Sequence, residues 1–121
     1  MPVILVVEDN EANLELVTRF LRREGHQVLC AANGQAGVSM AQEHVPDLIL
    51  MDLGLPGMDG WEATQQIRST PKCAHIPVIA LTAHSLAEDV RKAIVVGFDA
   101  YETKPVVYRR LMDKIREFVD H

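Results

Sequence analysis

The sequence has little cysteine, no excess of positive charge and no apolar run long enough to cross a bilayer, and each shortage excludes a class of function. Cys30 and Cys73 stand apart, without the close-spaced Cys or His partners that a zinc or thiol–disulfide site needs, so they read as reduced structural thiols. Twelve Lys and Arg against 17 Asp and Glu give a formal net charge of -5, which repels nucleic-acid phosphate and anionic lipid. No direct nucleic-acid partner is expected. The start MPVILVVEDN lacks the basic leader and small-residue cleavage site of a secretory signal, so neither export nor membrane insertion is expected and cytoplasmic residence is.

Several chemical signatures are missing as well. The first apolar run is followed by EDNEAN, not by the glycine-rich, lysine-bearing loop of a P-loop enzyme. There is no GxGxxG dinucleotide fingerprint and no hydrolase nucleophile elbow. A flavin-binding sheet would need phosphate-cradling loops rich in Ser, Thr and Gly, whereas the first loop here is acidic.

What is present is enough apolar residue for one core: 121 residues, 48% of them hydrophobic. A chain of this size buries roughly two-thirds of its extended surface and needs no disulfide or structural metal. Val3, Ile4, Leu5, Val6 and Val7 form a continuous, β-branched run, the pattern of a strand buried on both faces of a parallel sheet. Leu14, Val17, Phe20 and Leu21 return at helical spacing, predicting a helix over about residues 12–24. Residues 28–31 read as a second strand, and Asn33–Gly34 as a turn into a helix carrying Ala36, Val38, Met40 and Ala41. Leu48, Ile49, Leu50 and Met51 make another fully apolar strand, which ends at Asp52.

Gly54, Pro56, Gly57 and Gly60 mark a loop before a third helix bearing Trp61, Thr64, Ile67 and Arg68. Residues 78–81 give a fourth strand running into Thr82, residues 86–96 a fourth helix closed by Gly97, and residues 98–101 a short fifth strand before Lys104 and Pro105. Leu111, Ile115 and Phe118 place one apolar stripe on a final helix. Five β-α units and no linker predict one α/β domain over residues 1–121, an open doubly wound parallel sheet with helices on both faces.

In such a sheet the carboxyl ends of the strands are neighbours and form the binding crevice. Glu8 and Asp9 after the first strand and Asp52 after the third therefore converge. Three carboxylates together repel one another, which raises a pKa or recruits a hard divalent cation such as Mg²⁺. The competing reading, that each acid merely caps the next helix, suits Asp52 poorly, since LGLP rather than a helix follows it. Thr82 and Lys104 bring a hydroxyl and an ammonium to the same edge. Carboxylates, a divalent cation, Lys and a hydroxyl are the parts for phosphoryl transfer, and an Asp can itself be the covalent acceptor.

The segments VILVVEDN, DLILMDLGLPGMDG, IPVIALTA and AYETKP, in that order, closely resemble the receiver domains of two-component response regulators. The resemblance covers the whole chain and implies a flavodoxin-like strand order 2-1-3-4-5. It implies Asp52 as phosphoacceptor, Asp9 and Asp52 as direct Mg²⁺ ligands with Mn²⁺ a possible substitute, Glu8 holding a water of the ion, and the Gly54 carbonyl as a further ligand. Thr82 would bond the phosphoryl oxygens, Lys104 would pair with them, and the bond before Pro105 would be cis. The implied donor is a histidine kinase or histidine phosphotransfer protein.

The charge would be read out through Thr82 and Tyr101, on a face made by the fourth helix, fifth strand and fifth helix that meets a downstream protein. Two departures leave the phosphate lifetime open: Gly54 has no side chain to orient attacking water, and His84 stands where an acid or amide is frequent. A stand-alone regulator is the first expectation, because no DNA-binding or effector domain follows Phe118. A module of a larger kinase or regulator and a phosphorylation-independent scaffold are the alternatives.

Overall fold

The computed structural model describes residues 2–55, 58–82 and 97–119. The expected helix over 86–96, His84, Pro56 and Gly57 lie outside these described residues. Five strands, β1 (Val3–Val7), β2 (Gln27–Ala31), β3 (Leu48–Asp52), β4 (Val78–Thr82) and β5 (Ala100–Thr103), form one sheet. All pairings are parallel and the order is β2-β1-β3-β4-β5, the flavodoxin-like arrangement. The order reverses next to β1, so the crevice between β1 and β3 is the topological switch point where such sheets bind ligands.

Side-chain alternation divides the core between the two faces of the sheet. Ile4, Val6, Leu48, Leu50, Ile79 and Leu81 pack under helix α1 (Glu11–Arg23) and the C-terminal helix (Tyr108–Arg116), meeting Val17, Leu21, Leu111 and Ile115. Leu5, Val7, Ile49, Met51, Val78 and Ala80 face the other way, onto Val38 and Ala41 of α2 (Gly34–His44) and Ala63 and Ile67 of α3 (Gly60–Ser69). That double burial is why the inner strands β1, β3 and β4 are almost continuously apolar. Among the described residues, no helix is long and apolar enough to cross a membrane.

The acids at the strand ends are not the helix caps. Asn10 caps α1, its side chain accepting from the Asn13 N–H at 3.0 Å, and Asp59 caps α3 by accepting from Glu62 N–H at 2.8 Å. Asn33 caps α2 in the same way, accepting from Ala36 N–H at 2.8 Å. The carboxylates of Glu8, Asp9 and Asp52 are thereby left to the crevice.

β5 begins at Ala100, two residues later than the 98–101 run suggests. Gly97 takes a left-handed φ of 105°, and Asp99 spends its carboxylate on the Val78 N–H at 2.8 Å and on Arg68 at 2.7 Å. Arg68 also donates to the carbonyls of Gly97, Ala74 and Ile76 at 2.6–3.0 Å, so one guanidinium sets the entry into both β4 and β5. The shift places Glu102 on the inner face beside Leu81, buried and ion-paired with Arg110 of the C-terminal helix at 2.8 Å. That helix is fixed to α1 by Tyr108, which donates to Glu24 Oε1 at 2.6 Å and packs edge-on against Phe20. Both cysteines are free; Cys30 is exposed, while burial pushes the Cys73 thiol up.

Candidate active site at the strand carboxyl ends

The continuous apolar runs of β1 and β3 carry their terminal acids to one depth, because register pairs Val7 with Met51 and so sets Glu8 beside Asp52. Glu8 is 2% exposed and Asp52 3%, while Asp9 is exposed at the rim. One carboxylate oxygen from each of the three can be chosen so that all lie within 4.8 Å of one another.

β4 and β5 supply the opposite charge. Register pairs Thr82 with Thr103, and the Lys104 N–H donates to the Thr82 carbonyl at 2.7 Å, so the last strand delivers Lys104 over the acids. The Lys104 ammonium lies 3.0 Å from Asp52 Oδ1 and 3.2 Å from Glu8 Oε2. The Gly54 N–H also donates to Asp52 Oδ1, at 3.0 Å, and the Asn10 N–H to Glu8 Oε1 at 3.2 Å. The Lys104–Pro105 peptide bond is cis. Thr82, next to the Leu81 that pairs with Asp52, is buried, and Tyr101, 38% exposed, pairs with Ala80 and so shares the sheet face of Thr82.

The charges do not balance. Three carboxylates face one ammonium, and the imbalance shows in Glu8, whose carboxyl is pushed up first by burial and then by the charge on Asp52, more than Lys104 offsets. Burial pulls the Lys104 ammonium down, but its bonds to Asp52 and Glu8 outweigh that and hold it above the ordinary lysine value. A divalent cation supplies the missing charge, and an all-oxygen set with an open solvent side suits Mg²⁺, which keeps several of its waters. The residues present therefore fit the ion, with Glu8, Asp9 and Asp52 as its acidic donors.

A cleft of about 410 Å³ adjoins the site, lined by Glu8, Lys104 and Pro105 together with Leu16, Val17 and Val106. Leu16, on its apolar wall, falls outside the helical stripe of Leu14, Val17, Phe20 and Leu21 and is 40% exposed.

Residues 4–116 match the model of the response regulator receiver domain. The polar-differentiation response regulator DivK of Brucella anthropi is 35% identical over 116 residues, a match covering 96% of this chain and 94% of that protein. The receiver domain of sensor histidine kinase PA1611 from Pseudomonas aeruginosa, with a magnesium ion coordinated in its active-site cleft, superimposes with a TM-score of 0.90 at 35% identity, covering 97% of this chain and 96% of that one. The receiver domain of Ssk1 from Saccharomyces cerevisiae, crystallised with the histidine phosphotransfer protein Ypd1, gives 0.89 at 37% identity, covering 97% of this chain and 88% of that one. With the sheet order, the acidic crevice and these matches in agreement, the chain belongs to the response regulator receiver domain family, and its Glu/Asp cluster is of the kind that serves phosphorelay signalling.

Proposed function

We propose that Asp52 accepts a phosphoryl group from the phosphohistidine of a histidine kinase or histidine phosphotransfer protein. One observation carries this reading: a buried carboxylate at a strand end, with an ammonium at 3.0 Å and two further acids grouped within 4.8 Å. An Asp52 carboxylate oxygen attacks phosphorus in line, the new O–P bond forms as the P–N bond breaks, and the electron pair leaves on the imidazole, which takes up a proton. Lys104 follows the charge from Asp52 onto the transferred oxygens, and the Thr82 hydroxyl donates to one of them. Glu8 and Asp9, with Asp52 and the Gly54 carbonyl, would hold Mg²⁺ or Mn²⁺, which supplies charge neutralisation and Lewis acidity at the phosphoryl oxygens. The cleft lined by Leu16 and Val106 gives the donor's histidine an apolar approach to Asp52.

The expected product is an acyl phosphate, and its chemistry is the test. Incubation with Mg²⁺ and acetyl phosphate, or with a phosphohistidine donor, should add one phosphoryl group that hydroxylamine removes. A label stable to hydroxylamine, or none from either donor, would overturn the assignment.

Readout is proposed through Thr82 and Tyr101. Movement of the hydroxyl toward the phosphoryl group vacates space on the face that Tyr101 shares, and the changed surface around β5 and the C-terminal helix meets the downstream protein. Beryllofluoride should shift the amide resonances of residues 100–103 as well as those of the crevice. Changes confined to the neighbourhood of Asp52 would rule this switch out.

A further inference from the structure

We infer that Gly34 and Gly60 are positioning residues for the cation and phosphoacceptor site, seating the turn after β3 from two different helices. This rests on the reading of Glu8, Asp9 and Asp52 as the cation site. The turn carries Gly54, whose N–H holds Asp52 Oδ1, and it is described at residues 53–55 and 58–59.

Neither glycine has a positive φ, so backbone freedom does not explain them. Their role is close approach. A Cβ on Gly60, the first residue of α3, would lie 2.3 Å from the Asp52 carbonyl oxygen and 3.0 Å from Leu53 Cα. A Cβ on Gly34, the first residue of α2, would lie 2.3 Å from the Met58 carbonyl oxygen. Both obstacles are backbone, which cannot rotate aside as a side chain can. An ordinary contact begins near 3.4 Å, so a methyl group displaces the turn or the helix by about 1 Å. Displacements of that size at a reacting group are costly, because the attacking oxygen and its charge partners are held by geometry.

The two contacts act at opposite ends of the turn. Gly60 rests on the peptide of Asp52 itself, while the three atoms nearest a Cβ on Gly34 all belong to Met58. Gly34 thus bears on the turn from a helix that contributes none of the proposed site residues, a helix whose Gly37 also lies close against Val7, the residue before Glu8. Gly54 is a useful contrast, since a Cβ there would make only an ordinary 3.6 Å contact with Asp52 Oδ1. Gly25 is another: its φ of 88° disfavours a side chain although nothing lies within 4 Å, so substitution there strains the backbone far from the crevice.

The test compares Gly34→Ala and Gly60→Ala with Gly25→Ala. Mn²⁺ affinity is read from the loss of the free-ion EPR signal, alongside thermal midpoint and the rate of phosphorylation by acetyl phosphate. All three variants should melt lower, but only Gly34→Ala and Gly60→Ala should bind Mn²⁺ more weakly, on the order of ten-fold, the middle of the range for coupling between sites. Mn²⁺ affinity in Gly34→Ala no weaker than in Gly25→Ala overturns the inference. Failure of the unsubstituted protein to bind Mn²⁺ instead removes the cation site on which it rests.

If a variant does not fold, hydrogen exchange of the unsubstituted protein decides. Coupling is reciprocal, so Mn²⁺ at saturating concentration should slow exchange at Gly34 and Gly60. Unchanged exchange at both overturns the inference.

Discussion

Asp52→Asn is expected to abolish phosphoryl uptake while leaving the fold in place. Asn is nearly isosteric and its amide oxygen can still accept the Gly54 N–H, so the turn after β3 keeps that anchor. Lys104 loses one of its two acid partners but retains Glu8 at 3.2 Å. The amide oxygen is a far weaker nucleophile than a carboxylate and cannot give the acyl phosphate, so no residual reaction is expected at this position. Intact mass after exposure to Mg²⁺ and acetyl phosphate checks it: the parent gains one phosphoryl group and the variant none, with near-ultraviolet circular dichroism confirming that both are folded. Equal labelling of the two would move the acceptor elsewhere in the chain.

The second large effect is stabilisation by Mg²⁺, and it should depend on pH with a definite sign. Glu8 has its carboxyl raised in the folded chain, so the folded state holds that proton more tightly than the unfolded state does. Without metal, this group costs stability fully above its raised value and nothing below its ordinary one, so stability falls as pH climbs out of the acid range toward neutrality. Lys104 works in the alkaline range: its contribution is complete below the ordinary lysine value and is lost as pH rises through the raised one. It is therefore constant across the window in which Glu8 titrates.

Mg²⁺ needs the carboxylates ionised and cancels the repulsion that makes Glu8 costly. At a concentration one hundred times its dissociation constant the ion adds about 2.7 kcal/mol, or on the order of 10 °C in thermal midpoint for a domain of this size. The midpoint increment at a fixed Mg²⁺ concentration should shrink between about pH 7.5 and about pH 5, as the Glu8 carboxyl, raised by burial and by the charge on Asp52, takes up its proton. An increment that stays the same at both values would show that the ion acts away from Glu8, Asp9 and Asp52.

Much of this site was legible in the sequence because the signals were local. Each buried parallel strand is a run of apolar residues, and the point at which the run stops is the crevice edge, so Glu8, Asp52 and Thr82 mark themselves. The strand order then brings them together without any further information. The contacts that hold the site were less visible, since they join elements remote in sequence. Gly34 reads as half of an Asn–Gly turn, and nothing in its neighbourhood announces the carbonyl of Met58. Arg68 reads as a basic residue near a helix end, whereas it organises four backbone and side-chain acceptors across two strand entries. Glu102 lies beyond the 98–101 run expected as a strand; it falls inside β5, pairs with Leu81 and is buried with Arg110 opposite.

The strand order also has a consequence for the newly made chain. β1 and β3 pair across the intervening β2 and two helices, and Lys104 follows β5, the last strand of this sheet to be synthesised. Before β5 docks on β4, Asp52 has neither its ammonium partner nor the edge strand that covers β4. Non-local pairings of this kind form slowly, so the Lys104–Asp52 contact waits on the pairing of β5 with β4. Under the proposed function, a sheet that still lacked β5 would present Asp52 to a phosphoryl donor without Lys104.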